Sequence, residues 1–160
     1  MQKDPMVGAI ILTVDDDPSV SQAITRDLRS RYSERYRIVR ASSGAEALGA
    51  LEEFARRDQP VALIVSDHRM PEMTGIELLG RSKEPAPDAK LVLLTAYADT
   101  DVAIKAINEI GLDHYLMKPW APPEAALFPI LDDLTATPRD AAVGAAWLAG
   151  LAVLIAIDGL

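Results

Sequence analysis

Short, uninterrupted apolar runs alternate along the chain with segments whose apolar residues recur every three or four positions. Such runs are expected of strands that are buried on both faces, and the second spacing is that of one helical face. The runs, together with two shorter segments, predict five strands, at 7–14, 36–41, 61–67, 90–96 and 113–119. The helical spacing predicts helices at 18–32, 43–57, 74–83, 100–111 and 122–134, the last of them kinked at Pro129.

This alternation of strand and helix predicts a doubly wound α/β domain with a mainly parallel sheet. A chain of 160 residues with 49% hydrophobic content suits one such domain with a substantial core. In open sheets of this kind, ligands bind outside the carboxyl ends of the strands. The polar residues at those ends are therefore the candidates for a functional site.

Composition excludes several classes of function. The net charge is −8 and the pI is near 4.7, which argues against a nucleic-acid-binding surface, since phosphate contacts require Lys and Arg. The chain has no cysteine, which rules out disulfides and thiolate metal sites. The first residues lack the small-residue cleavage pattern of a signal peptide, so we expect a cytoplasmic protein.

Polar side chains stand at the carboxyl end of four predicted strands. An acidic triplet follows the first strand, and an aspartate, a threonine and a lysine follow strands three, four and five: Asp15, Asp16, Asp17, Asp67, Thr95 and Lys118. Converging carboxylates repel one another unless a cation lies between them, and hard oxygen ligands favour Mg²⁺. A carboxylate can also act as a nucleophile and form an acyl phosphate, whose oxygens a metal, a hydroxyl and an ammonium would neutralise.

We therefore predict a metal-binding corner with one or two members of the triplet in the site and Asp17 at its rim. Taken singly, these residues have simpler explanations, because an aspartate after a strand commonly caps a helix and a lone lysine is commonly solvated. The occurrence of all of them at four strand ends favours a functional site.

Four segments, taken in order, resemble the receiver domain of bacterial two-component response regulators over about residues 6–135. "VDDDP" resembles the family's acidic pair, and "LIVSDHRMPEMTGIELL" its phospho-acceptor segment, with Gly75 eight residues after Asp67. "LLTA" carries the switch threonine, and "YLMKPW" carries the lysine, with Tyr115 at the aromatic switch position. The amino-acid sequence of the later segments is similar to that of receivers fused to thioredoxin-reductase-like flavoproteins.

The resemblance implies a flavodoxin-like five-stranded sheet of order 2-1-3-4-5 with helices on both faces. It implies a phosphorylation switch in which a histidine kinase donates a phosphoryl group to Asp67. Mg²⁺ would be bound directly by Asp16, Asp67 and the backbone carbonyl of Arg69, and through water by Asp15. Self-phosphorylation and self-dephosphorylation would be slow.

The resemblance also implies a conformational response. Thr95 would move towards the phosphoryl group and Tyr115 would swing inwards, which changes the face formed by helix 4, strand 5 and helix 5. Arg69 and Tyr97, two residues past the acceptor and the threonine, are bulky and would tune dephosphorylation. We expect His68 and His114 to be ordinary residues at strand edges.

A haloacid-dehalogenase-like phosphatase is the alternative function. Asp15 would be its nucleophile and Asp17 its acid–base partner, with Thr95 and Lys118 in later motifs and Asp132-Asp133 as a late acidic pair. Against it, the late acids fall in a helical pattern and the segment after Asp67 has no role. The two hypotheses differ in which aspartate carries phosphoryl.

The end of the chain, residues 136–160, does not fit the receiver pattern. A linker precedes residues 141–157, which form 17 consecutive uncharged residues and predict an apolar C-terminal helix. This length is at the lower limit for a membrane span. A helix packed in a homodimer or on the receiver, a membrane anchor, and a remnant of a longer fused protein all fit this composition.

Overall fold

The computed structural model describes residues 8–136, and it confirms a five-stranded parallel sheet. The strands are β1 (Ala9–Val14), β2 (Tyr36–Ala41), β3 (Val61–Asp67), β4 (Lys90–Thr95) and β5 (His114–Met117). Their order is β2-β1-β3-β4-β5, as the resemblance implied. The predicted C-terminal helix at 141–157 lies outside the described residues.

Helices cover both faces of the sheet, as predicted. They are α1 (Pro18–Tyr32), α2 (Gly44–Arg56), α3 (Gly75–Ser82), α4 (Thr100–Glu109), α5 (Pro123–Ala126) and α6 (Phe128–Thr135). A short 3-10 helix, Tyr97–Asp99, leads into α4. The predicted helix at 122–134 is broken into α5 and α6 before Pro129, which lies in the first turn of α6, where a missing N–H costs no helical hydrogen bond.

Two hydrophobic cores form because side chains of a strand alternate between the faces of the sheet. Ile10, Leu12 and Val14 of β1 contribute to the core under α2, α3 and α4. Ala9 and Ile11 of the same strand contribute to the core under α1 and α6. Burial on both faces explains why β1 and β3 are uninterrupted apolar runs.

On helix α4, the spacing of apolar residues does not predict which side chains are buried. Ala103 and Ala106 are buried, whereas Val102, Ile104 and Ile107 are 42–48% exposed. Met117 on β5, whose sulfur lies 3.9 Å from the Thr100 hydroxyl of α4, is also 45% exposed. These four large side chains leave α4 and β5 with an apolar outer surface. Among residues 8–136, no helix has the length and apolarity needed to cross a membrane.

Candidate functional site

The carboxyl ends of the parallel strands bring the predicted polar residues to one edge of the sheet. Asp15 directly follows β1, Asp67 ends the neighbouring strand β3, and Thr95 ends β4. Lys118 directly follows β5 at the end of the sheet. The register pairs Val14 with Ser66 and Thr95 with Met117, so these strand ends lie level with one another.

Three carboxylates form a compact acidic cluster at this edge. Oxygens of Asp15, Asp16 and Asp67 all lie within 4.8 Å of one another. Asp15 and Asp67 are buried, and Asp16 is exposed, so the cluster is open on one side. Three hard oxygen donors with an open side fit Mg²⁺, which typically retains water ligands. The donor set therefore agrees with the predicted cofactor.

Lys118 is the cation that the structure places beside these acids. Its Nζ donates a hydrogen bond to Oδ1 of Asp67 at 2.8 Å and to Oδ2 of Asp15 at 3.3 Å. Burial disfavours the ammonium, but the two carboxylates outweigh this effect and raise the pKa of Lys118. Burial raises the pKa of Asp15, against the opposing effects of the Asp17 amide and Lys118.

Asp17 lies outside the cluster and caps α1. Its carboxylate accepts hydrogen bonds from the Ser19 amide at 2.9 Å, the Ser19 hydroxyl at 2.7 Å and the Val20 amide at 3.4 Å. The hydroxyl and the two amides lower the pKa of Asp17. The third acid of the triplet thus has a structural partner of its own, because helix N-termini present unpaired amides.

Gly75 holds α3 against the main chain of the candidate acceptor. Its amide donates to the His68 carbonyl at 2.8 Å. A Cβ at this position would lie 2.1 Å from the carbonyl oxygen of Asp67, which is far inside any real contact distance. Only glycine therefore permits this close approach of α3 to the end of β3.

The predicted switch residues lie on the last two strands. Thr95 is fully buried, and its hydroxyl donates to the Ala96 carbonyl at 3.1 Å. Tyr115 is half-buried and packs on the core under α2, α3 and α4. Tyr97 belongs to the 3-10 helix after Thr95.

Arg69 makes a contact that sequence reasoning missed. Its Nε and Nη2 donate to the two oxygens of Asp99 at 2.7 and 2.8 Å. Hydrogen bonding from Arg69 lowers the pKa of Asp99 and raises that of Arg69. Only the position of Asp99, four residues past Thr95 at the same edge of the sheet, hinted at this pairing.

Within the described part of the chain, neither histidine makes a contact that indicates catalysis. His114 is exposed, and its Nδ1 lies 2.7 Å from the Tyr115 carbonyl. His68 is half-buried, and its Nδ1 has no hydrogen-bond partner among residues 8–136.

Trp120, two residues past Lys118, makes a second contact that was not predicted from the sequence. Its indole N–H donates a hydrogen bond to Asp27 of α1 at 2.7 Å.

Asp132 is committed to a structural contact between α6 and α1. It accepts hydrogen bonds from the Arg31 guanidinium and, at 2.7 Å, from the Tyr32 hydroxyl. The Arg31 hydrogen bond and ion pair lower the pKa of Asp132. One member of the late acidic pair that a phosphatase would need, Asp132, is therefore engaged in a structural contact.

Comparison with known proteins assigns the family. A family model described as the response regulator receiver domain matches residues 11–127, most of the chain. The chain belongs to the response regulator receiver domain family. Receiver domains are phosphorylation-dependent signalling switches, and nothing in the comparisons supports the phosphatase alternative.

Individual relatives agree with this family. The hydrogenase transcriptional regulatory protein HoxA of Cupriavidus necator is 35% identical over 71% of this chain and 22% of its own length. The two-component response regulator ORR3 of Oryza sativa is 35% identical over 72% of this chain and 84% of its own length. The receiver thus spans only about a quarter or less of the first transcriptional regulators that it matches.

Solved receiver structures share the fold. A response regulator receiver domain protein from Clostridium thermocellum has a TM-score of 0.66 at 28% identity, covering 79% of this chain and 94% of its own. The chemotaxis protein CheY4 of Vibrio cholerae has a TM-score of 0.65 at 25% identity, covering 79% of this chain and 98% of its own. The narrower resemblance to receivers of thioredoxin-reductase-like flavoproteins stays a prediction.

Proposed function

We propose that Asp67 is the phospho-acceptor, that a histidine kinase is the donor, and that the reaction requires Mg²⁺. The observation that carries this proposal is the position of the Asp67 carboxylate, which lies within 4.8 Å of two other carboxylates and 2.8 Å from the Lys118 ammonium. Residues 6–135 form the receiver domain in this proposal, and residues 136–160 form a linker and an apolar helical tail.

In the reaction, an oxygen of Asp67 attacks the phosphorus of a phosphohistidine. A P–O bond forms as the P–N bond breaks, and the ring, protonated on its other nitrogen, leaves as neutral imidazole with the electron pair of that bond. Lys118, already hydrogen-bonded to Asp67, holds positive charge beside the transferred group. Asp16, Asp67 and the Arg69 carbonyl would hold Mg²⁺ directly, and Asp15 would hold it through water. The ion would further neutralise the phosphoryl oxygens.

The response to phosphorylation runs through Thr95 and Tyr115. The Thr95 hydroxyl leaves the Ala96 carbonyl for a phosphoryl oxygen, and Tyr115 moves into the space that opens. Both residues lie on strands next to α4, so the outer surface of α4, β5 and the α5–α6 segment changes. Arg69 and Tyr97 tune the lifetime of the acyl phosphate, and self-phosphorylation and self-dephosphorylation are slow.

We further propose a homodimer through α4 and β5 as one partner interaction. Val102, Ile104, Ile107 and Met117 form an apolar outer surface that a second copy would cover. The protein is cytoplasmic in this proposal, without nucleic-acid contacts from the acidic receiver. Residues 141–157, which lie outside the described part of the chain, extend the dimer or attach it to a membrane.

Incubation with acetyl phosphate and Mg²⁺, followed by intact-mass and peptide mass spectrometry, tests the acceptor. We expect one hydroxylamine-labile phosphoryl group on the peptide containing Asp67, and none in Asp67→Asn. Asp132→Asn serves as the control and retains the adduct. A phosphoryl group on Asp15, or an adduct that persists in Asp67→Asn, would refute the proposal.

A further inference from the structure

The Arg69–Asp99 ion pair joins the two loops that border the phosphorylation site. Arg69 lies two residues past Asp67 in the loop from β3 to α3, and Asp99 ends the 3-10 helix that follows Thr95. Two parallel N–H···O bonds of 2.7 and 2.8 Å fix the relative orientation of guanidinium and carboxylate. The contact spans thirty residues of sequence and holds the two loops to each other.

Asp99 occupies the N-cap position of α4, but its side chain does not cap the helix. It directly precedes α4, and within residues 8–136 its side chain makes no capping hydrogen bond to that helix. Its carboxylate is only 9% exposed, whereas the Arg69 side chain is 73% exposed. Both carboxylate oxygens are used by Arg69, so the pairing and not the cap accounts for an acid at this position.

Arg69 also carries the main-chain carbonyl that the proposed function assigns to Mg²⁺. A side chain held at two points restricts the backbone of its own residue, and outer contacts of this kind orient metal ligands. We infer that Asp99 is a positioning residue of the magnesium site: through the Arg69 side chain, it orients the Arg69 carbonyl and links that ligand to the loop after Thr95. This inference rests on the proposed metal site.

Mg²⁺ binding and the contact between the two loops are thermodynamically linked. If Asp99 favours Mg²⁺ binding by holding the two loops together, Mg²⁺ binding must favour the joined arrangement to the same extent. Amide hydrogen exchange in residues 96–100 should therefore slow when Mg²⁺ is added to the wild type. In Asp99→Asn this response should be lost, even where the variant is folded.

Magnesium titration by calorimetry on the full chain separates positioning from simple electrostatics. Removing the Arg69 cation would by electrostatics alone strengthen Mg²⁺ binding, and removing the Asp99 anion would weaken it. Positioning predicts that Arg69→Ala and Asp99→Asn both weaken binding, by about tenfold. The double variant should then be no weaker than either single variant, because one contact is lost in all three.

Glu77→Gln is the matched control, because it breaks another arginine–carboxylate pair, Arg81–Glu77 at 2.8 Å, on the exposed side of α3. Its Mg²⁺ affinity should equal that of the wild type. Wild-type protein that binds no Mg²⁺ would overturn the metal site and the inference together. If the wild type binds Mg²⁺, unchanged affinity in Asp99→Asn, or unchanged or tighter binding in Arg69→Ala, would overturn the inference alone. If Asp99→Asn does not fold, the Mg²⁺ affinity of Arg69→Ala alone tests the inference.

Discussion

Among the glycines of residues 8–136, Gly75 is the one at which an added Cβ, as in Gly75→Ala, would meet the closest neighbouring atom. The new Cβ would lie 2.1 Å from the Asp67 carbonyl oxygen and 2.9 Å from both the Asp67 carbonyl carbon and Leu93 Cδ1. Ordinary contacts begin near 3.4 Å, so α3 or the end of β3 must move by about 1.3 Å. The first obstacle is main chain, which cannot rotate away as a flexible side chain does.

We expect this substitution to destabilise the domain by about 3 kcal/mol, at the upper end of the usual cost of overpacking. For a domain of this size, the change corresponds to a fall in Tm of roughly 10 °C. The displaced main chain carries the Asp67 carboxylate with it. Phosphorylation by acetyl phosphate should therefore slow at temperatures where the variant is still folded.

Gly49→Ala in the same chain is the matched control with the opposite expected sign. Gly49 lies inside α2 and is exposed, and a Cβ added to it would meet no atom within 4 Å among the described residues. Alanine there should stabilise the protein by about 0.5–1 kcal/mol, because it favours the helix. Urea and thermal unfolding measure both variants. Equal stability of Gly75→Ala and wild type would refute the steric reasoning.

The remaining predictions concern charge and surface. Asp16→Ala should abolish Mg²⁺ binding in a calorimetric titration, with little change in Tm. Asp17→Ala should lower Tm, because it removes the α1 cap, and should retain Mg²⁺ binding. Equal Mg²⁺ affinity in the two variants would contradict these separate roles. The hydrogen bond from Arg31 lowers the pKa of Asp132, so the folded state binds the proton less tightly than the unfolded chain does. The contact therefore contributes stability above pH 3.8 that is lost as the pH falls further. Asp132→Asn should therefore be less stable than wild type by about 1 kcal/mol at pH 7 in urea unfolding, with the difference vanishing in acid. If α4 forms the dimer surface, Ile107→Glu should keep the protein monomeric when beryllofluoride, in place of a phosphoryl group, is bound at the acceptor. Ala55→Glu, at an exposed position of α2, should not prevent dimerisation. Light scattering measures the molar mass of both variants.

The sequence by itself determined the strands, the helices and the edge of the sheet where the polar residues meet. Apolar runs such as 61–67 reflect burial on both faces, which is a property of a single strand and can be read along the chain. The same pattern predicted the sheet class, and the motif spacing around Asp67 and Lys118 predicted the family that the comparisons confirm. The individual roles of the site residues stay predictions.

The tertiary structure decided which side chains meet across elements. The pairing of Arg69 with Asp99 and the contact of Asp132 with Tyr32 join residues 30 and 100 positions apart. On α4, apolar spacing did not separate buried Ala103 from exposed Ile107, because burial depends on which neighbours cover the helix. Periodicity records only the neighbours within one element, whereas these contacts depend on how the elements are placed against one another in space.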